Sequence, residues 1–370
     1  MANRKKILVA LGTRPEAIKL APVVLGLRES GTSFECIVCG TAQHREMLDQ
    51  VLSVFGIELD FDLRLMTPDQ APADVISRGL PLLMDAIRES SPRLVMVQGD
   101  TVSTFASAYA AFLSKVPVAH VEAGLRTLDK YHPFPEEQNR RLTSTICDYH
   151  FAPTERARQN LLVEGVDDRR ILVTGNTVVD ALNLMLSREN KSERSPVAES
   201  QGRLILATVH RRESFGEPMK RICSVLRRIS LEHPECSIVF PVHPNPNVQS
   251  VVRGTLSGLP NVALLAPLPY DEFILLMKRA YLIITDSGGI QEEAPSLGKP
   301  VLILRDKTER PEGIETGLAV LVGSAPDRIY DVFSRMLNDQ SYYMSLAVHE
   351  NPYGDGLASK RIVDFLTEQI

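Results

Sequence analysis

Short apolar runs alternate with longer amphipathic stretches along almost the whole chain, and the pattern runs through twice. In the first half "KILVAL", "FECIVC", "LVMVQG", "PVAHVE", "YHFAPT" and "RILVTG" are separated by stretches such as "RPEAIKLAPVVLGLRES", "HREMLDQVLSVFG" and "TVSTFASAYAAFLSK". Runs this short and apolar read as strands buried on both faces, the condition of a parallel sheet covered by helices. The pattern restarts with "RLILATVH", "SIVFPVH", "VALLAP", "YLIITD" and "PVLILRD", separated by helical stretches such as "MKRICSVLRRISLEH" and "YDEFILLMKRA". At 370 residues the chain is also too long for one ordinary core.

The expected fold class is therefore α/β, with two Rossmann-like doubly wound domains facing each other across a cleft. Residues 1–175 form the first and 176–352 the second. The last helical stretch, "SKRIVDFLTEQI" within 353–370, is a candidate to return to the first domain. The polar, aperiodic segment "NKSERSPVAESQGR", residues 190–203, is the best linker, preceded by the expected helix "NTVVDALNLMLSRE". Ligands of such folds bind outside the carboxyl ends of the strands. That is where "GTRPEAIK", "TAQHRE", "QGDT", "HVEAGLRT", "TVHRRES", "PVHPNP" and "TDSGG" fall, each a polar exit from an apolar run.

The balance of residues excludes several classes of partner. A net charge of −5 argues against nucleic acid or an acidic membrane surface, so an anionic ligand needs a local basic pocket. No stretch approaches the roughly 18 apolar residues of a membrane span. The opening "MANRKKILVAL" reads as a first strand, because its apolar run is too short for a signal peptide and no small-residue cleavage site follows. Five scattered cysteines, with "CIVC" inside an apolar strand, read as buried thiols in a reducing cytoplasm. "CIVC" has zinc-like spacing but no second Cys pair, and neither His210 nor His243 sits in a pattern such as H-E-x-x-H, so neither a metal nor another cofactor is expected.

"TDSGGIQEEAPSLGKP", residues 285–300, sets two glycines at the mouth of a helix, where bare N–H groups favour an anion. A dinucleotide fingerprint is absent, since "LGTRPEAIK" departs from G-x-G-x-x-G. A diphosphate held by Ser287, Gly288 and Gly289, with Arg14, Lys19 and Arg310 around it, fits instead. Alternatives stay open residue by residue. Taken by themselves, Lys19 reads as a solvated helix residue and Arg14 as a loop charge, and it is the "SGG" helix start with Arg310 that favours the anion site. Glu293 reads as a ribose acceptor or as a carboxylate favoured by the helix dipole. Asp100, Glu122, Glu136 and His210 would suit proton transfer beside a leaving phosphate, whereas Asp100 alone would also serve as the N-cap before "TVST". His243, among the prolines of "PVHPNP", reads as a turn residue.

The blocks "GTRPEAIKLAPV", "TAQHREMLDQ", "QGDT", "HVEAGLRT", "PEEQNRRLTS", "HFAPTE", "GNTVVDAL", "HRRES", "TDSGGIQEEAPSLGKPVLILRDKTERPEG" and "NPYGDG" run in order from about residue 5 to the end. Together they resemble the non-hydrolysing UDP-N-acetylglucosamine 2-epimerases. The resemblance implies a glycosyltransferase-B-like fold and conversion of UDP-N-acetylglucosamine to UDP-N-acetylmannosamine for cell-surface polysaccharide synthesis. UDP would leave and return through 2-acetamidoglucal. By motif, Arg14 and Lys19 match ligand-contacting positions, and Asp100, Glu122, Glu136 and His210 match catalytic or substrate positions. Phe273, Ser287, Gly288, Gly289, Glu293 and Arg310 match UDP-binding positions, with Glu292 as structural support. Phe134 stands where some members carry Trp, and Leu268 where some carry Gln.

Some bacterial members bind a second UDP-N-acetylglucosamine as activator. Gln43, His44, Gln70 and His243 match that site, but Asp69 replaces an arginine that would pair with phosphate, so the effector site is expected to be present but weakened; the alternative is that Asp69 starts a turn and another cation, Arg211, holds the effector. The partners implied are UDP-N-acetylglucosamine and UDP, with a homodimer as the expected assembly. A hydrolysing epimerase, a glycosyltransferase of the same architecture and a catalytically silent sugar-nucleotide sensor remain the rival readings.

Overall fold

A computed structural model describes residues 4–31, 33–41, 45–65, 70–188, 202–347 and 350–370. The chain divides into two compact units, residues 1–184 with 353–370, and residues 185–352. The first unit extends past 175, where the sequence reading set the boundary, and a hydrogen-bonded cap gives the reason. Asp180, on the helix Thr177–Ser187, accepts from the backbone N–H groups of Ala358 (3.2 Å) and Ser359 (2.7 Å). The carboxylate thereby satisfies orphan donors at the start of the final helix, Ala358–Gln369. That bond binds the chain end to the helix at residue 180, so both belong to one unit.

The sheet of the first unit comprises β1 (Lys5–Leu11), β2 (Phe34–Gly40), β3 (Phe61–Asp62), β4 (Leu94–Gln98), β5 (Val118–Val121), β6 (Tyr149–Ala152) and β7 (Ile171–Val173). All pair in parallel, in the order β3-β2-β1-β4-β5-β6-β7. In the second unit lie β8 (Arg203–Thr208), β9 (Cys236–Pro241), β10 (Val262–Leu265), β11 (Leu282–Thr285), β12 (Val301–Ile303) and β13 (Ala319–Leu321). They are likewise parallel, in the order β10-β9-β8-β11-β12-β13. Sequence reading missed β3 and β13, outermost strands too short to carry a pattern of their own.

Each sheet winds outward in two directions from a central pair, β1 with β4 and β8 with β11. The loops leaving those pairs part to opposite faces and open a crevice at the carboxyl ends. The polar exits "GTRP" and "QGDT" follow β1 and β4, and "VHRRES" and "DSGG" follow β8 and β11. Leu8, Val95, Val97, Ala106 and Val118 belong to the first unit's core, and Ile205, Phe240, Ile284, Leu302 and Phe333 to the second's. Among the described residues, no helix is long and apolar enough to cross a membrane.

Two histidines sit inside the first sheet, paired across β5 and β6 as His120 and His150. Burial pushes their pKa values down, to about 3 and about 4. The unfolded chain therefore binds more protons than the folded one below 6.5, so this contribution is complete above 6.5 and is lost as pH falls toward 4. Each histidine accounts for about 1.4 kcal/mol per pH unit within its window. Glu16 and Asp180, whose pKa values burial raises, act in the opposite sense. The diagnostic is thus a difference: His150→Gln should flatten the loss of stability between pH 6.5 and 4, read from denaturation midpoints. Parallel curves for both proteins would show that His150 titrates normally.

Candidate active site

In the first unit the site grows from the loops after β1, β4 and β5. Thr13 caps the helix Arg14–Glu29, and Glu16 completes a capping box by accepting from Thr13 N–H at 2.6 Å. Glu16 does more than cap. Its buried carboxylate also accepts from Gly12 N–H (2.7 Å), Thr101 Oγ1 (2.6 Å) and Thr104 Oγ1 (2.7 Å). It therefore ties the loop carrying Arg14 to the loop carrying Asp100. Gly12 must be glycine there, because a Cβ would lie 2.2 Å from Thr41 Oγ1. The reading of Lys19 as a solvated helix residue does not survive: Lys19 is 5% exposed and its Nζ donates to Glu122 Oε2.

Asp100 is not a helix cap either. Thr101 caps the helix Val102–Leu113, its hydroxyl accepting from Thr104 N–H at 3.1 Å. The Asp100 carboxylate accepts instead from Arg140 Nη2, while Asn139 Nδ2 donates to the Asp100 carbonyl at 3.0 Å. Arg140 is buried, and the Asp100 side chain retains 30% exposure, enough to meet a ligand. Glu122 follows β5 with a φ of 64°, an uncommon conformation for a side-chain-bearing residue. Besides Lys19, Glu122 Oε2 accepts from Gln98 Nε2 at 2.7 Å. Glu136, half-buried, opens the helix Glu136–Ile146, the element that supplies Asn139 and Arg140 to Asp100. Its neighbour Glu137 is fully buried and accepts from the N–H groups of Thr127 (3.1 Å) and Leu128 (3.2 Å).

In the second unit the organising residue is Asp286, which sequence reading passed over. Its buried carboxylate accepts from the N–H groups of His210 (3.0 Å) and Arg211 (2.9 Å) and from Ser214 Oγ (2.8 Å). The loop after β8 is thus pinned to the loop after β11. The His210 ring has Nδ1 3.4 Å from Asp286 and stacks on His243, with centroids 5.7 Å apart. His243 is also a turn residue, accepting at Nδ1 from Asn245 N–H at 3.2 Å.

Ser287 precedes the six-residue helix Gly288–Glu293 and leaves its hydroxyl out of the cap. The Arg310 guanidinium lies over Gly288 so closely that a Cβ there would come within 2.6 Å of Nη1. Arg310 is not a bare cation: Nε donates to Glu292 Oε1 at 2.6 Å and Nη1 to Glu309 Oε1. Two buried carboxylates orient it, and Glu292 supports the site through that bond. Arg305 extends the network, donating to Glu213 (2.8 Å) and to the other oxygen of Glu309 (2.9 Å). Glu293 Oε1 accepts from Tyr270 Oη at 2.6 Å, on the helix that also carries half-buried Phe273.

A sequence profile of the UDP-N-acetylglucosamine 2-epimerases matches residues 27–367. The chain belongs to the UDP-N-acetylglucosamine 2-epimerase family. It is 50% identical over 369 residues to the UDP-N-acetylglucosamine 2-epimerase of Yersinia pestis, covering 98% of each chain. Its structure matches that of the Neisseria meningitidis UDP-GlcNAc 2-epimerase bound to UDP-GlcNAc at a TM-score of 0.95. That pair shares 47% identity and covers 98% of this chain and 100% of the other. Acinetobacter baumannii MurG, at 13% identity and a TM-score of 0.59 over 99% and 100% of the two chains, shares the fold alone. The fold is glycosyltransferase-B-like, two parallel sheets each with interleaved helices.

Family membership agrees with the resemblance carried by the sequence blocks. Of the positions that the resemblance assigns to an effector, Gln43, His44 and the substituted Asp69 lie outside the described residues. Gln70 accepts from Arg78 Nη2 at 2.8 Å, so a cation meets it from the following helix. Arg211 lies 3.7 Å from Glu309 and 4.0 Å from Glu213. Among the described residues no group of three or more His, Cys, Asp or Glu side chains could hold a metal ion.

Proposed function

We propose that this chain interconverts UDP-N-acetylglucosamine and UDP-N-acetylmannosamine without hydrolysis, by eliminating and re-adding UDP. The observation that carries the reading is 50% identity to a UDP-N-acetylglucosamine 2-epimerase over nearly the whole of both chains. The C2 hydrogen of the sugar is not alpha to a carbonyl, so direct deprotonation would be prohibitively slow. In the proposed route the C1–O bond breaks and its electron pair leaves with the β-phosphate oxygen. A carboxylate takes the C2 proton and the C1=C2 bond of 2-acetamidoglucal forms. Return of UDP to C1, with a proton delivered to the opposite face of C2, completes the epimerisation.

The residues divide by chemistry. Ser287, Gly288, Gly289 and Arg310, with Arg14, are proposed to hold the diphosphate, where the developing negative charge needs fixed donors. Glu293 is proposed to accept from the ribose and Phe273 to lie at the base. Asp100, Glu122 and Glu136 are proposed as the acid-base set, with His210 beside the phosphate or sugar. The orientation of Arg310 by Glu292 and Glu309 supports a preset anion partner.

Incubation with UDP-N-acetylglucosamine in deuterated water tests the reading. The expected product is UDP-N-acetylmannosamine carrying deuterium at C2. Free N-acetylmannosamine would establish the hydrolysing reaction instead, and unchanged substrate a sensor.

A further inference from the structure

We propose that His120 is a positioning residue that sets the placement of Asp100 relative to Glu122; the inference rests on the acid-base roles proposed above. His120 is fully buried in β5, two positions before Glu122. Its Nε2 lies 2.7 Å from the carbonyl oxygen of Gly99, the residue immediately before Asp100. A carbonyl only accepts, so Nε2 carries the proton and donates. Nδ1 has no hydrogen-bond partner among the described residues. The one N–H of this ring is therefore directed at the peptide that leads into Asp100.

The surroundings explain why that peptide needs a donor. The β4–β5 ladder ends at Gln98 opposite Val121, with Gly99 N–H donating to Val121 at 3.0 Å. Gly99 then turns with a φ of +74°, and its carbonyl leaves the ladder. The His120 ring recovers that carbonyl from within the neighbouring strand. Asn139 holds the next carbonyl and Arg140 the carboxylate, so Asp100 is fixed at three successive points. Of these, only the bond from His120 comes from β5, the strand that Glu122 follows. Without it the Gly99 carbonyl loses its donor, and the Gly99–Asp100 peptide plane can tilt between the bonds that still hold Gly99 N–H and the Asp100 carbonyl. A shift of about 1 Å at a reacting group costs up to roughly a hundredfold in rate without a matching loss of binding.

The test compares His120→Asn with His120→Gln. The glutamine amide reaches the position of Nε2, whereas the asparagine amide stops a methylene short. We expect His120→Asn to lower kcat about tenfold or more, with KM and UDP affinity within about twofold. His120→Gln should restore most of the kcat. Wild-type kcat in His120→Asn would overturn the proposal. So would equal losses in both variants with KM rising alongside, since those report damaged folding rather than a misplaced acid. A wild-type protein that does not epimerise would sink the function itself, and the inference with it.

Discussion

Asp100→Asn is expected to lower turnover by about a hundredfold or more, the scale of a lost general acid or base. The substitution is close to isosteric and removes only the charge and the proton acceptor. Arg140 keeps an oxygen to donate to, and Asn139 still holds the Asp100 backbone carbonyl at 3.0 Å. Because the Asp100 side chain is 30% exposed, the amide is not stranded in an apolar interior. Folding should thus survive, and affinity for UDP, titrated by calorimetry, should change little. Glu136→Gln should behave alike, since Glu136 is half-buried at a helix start. A variant of either residue with near-normal kcat would remove that residue from the acid-base set.

Lys19→Met should instead destabilise the first unit by about 3–5 kcal/mol, as expected when one partner of a buried ion pair is removed. Lys19 and Glu122 have side chains only 7% and 6% exposed. The amide of Gln98 also donates to Glu122 at 2.7 Å, but a neutral amide does not replace the charge of the ammonium. Lys19→Met combined with Glu122→Gln should regain much of the loss, because the side chain that faced the ammonium is then neutral. The two units need not unfold together, so hydrogen exchange at β4 and β5 amides is the measurement of choice. Unchanged protection in Lys19→Met would mean that the pair contributes nothing net.

That β4 and β11 are strands was legible locally, in runs such as "LVMV" and "LII" with no polar residue. So were the polar exits that follow them, because a strand buried on both faces must end where polarity begins. The family was legible in blocks read in order, several of which are such exits.

What each polar residue touches was decided by the order of the strands. Placing β4 beside β1 brings helix residue Glu16 to Thr101 and Thr104, and placing β5 beside β4 brings Glu122 to Lys19. Residues separated by about a hundred positions meet there, and no local period records it. Placing β11 beside β8 set Asp286 under the backbone of His210 and Arg211, although in the sequence it is only the first charged residue after an apolar run. His120 and His150 stood in "PVAHVE" and "YHFAPT" as polar residues inside strands, and parallel pairing made them buried neighbours. Local pattern depends on burial, which alternates or persists along a few residues. The partner of a charge depends on which strand lies alongside, and only the folded sheet determines that.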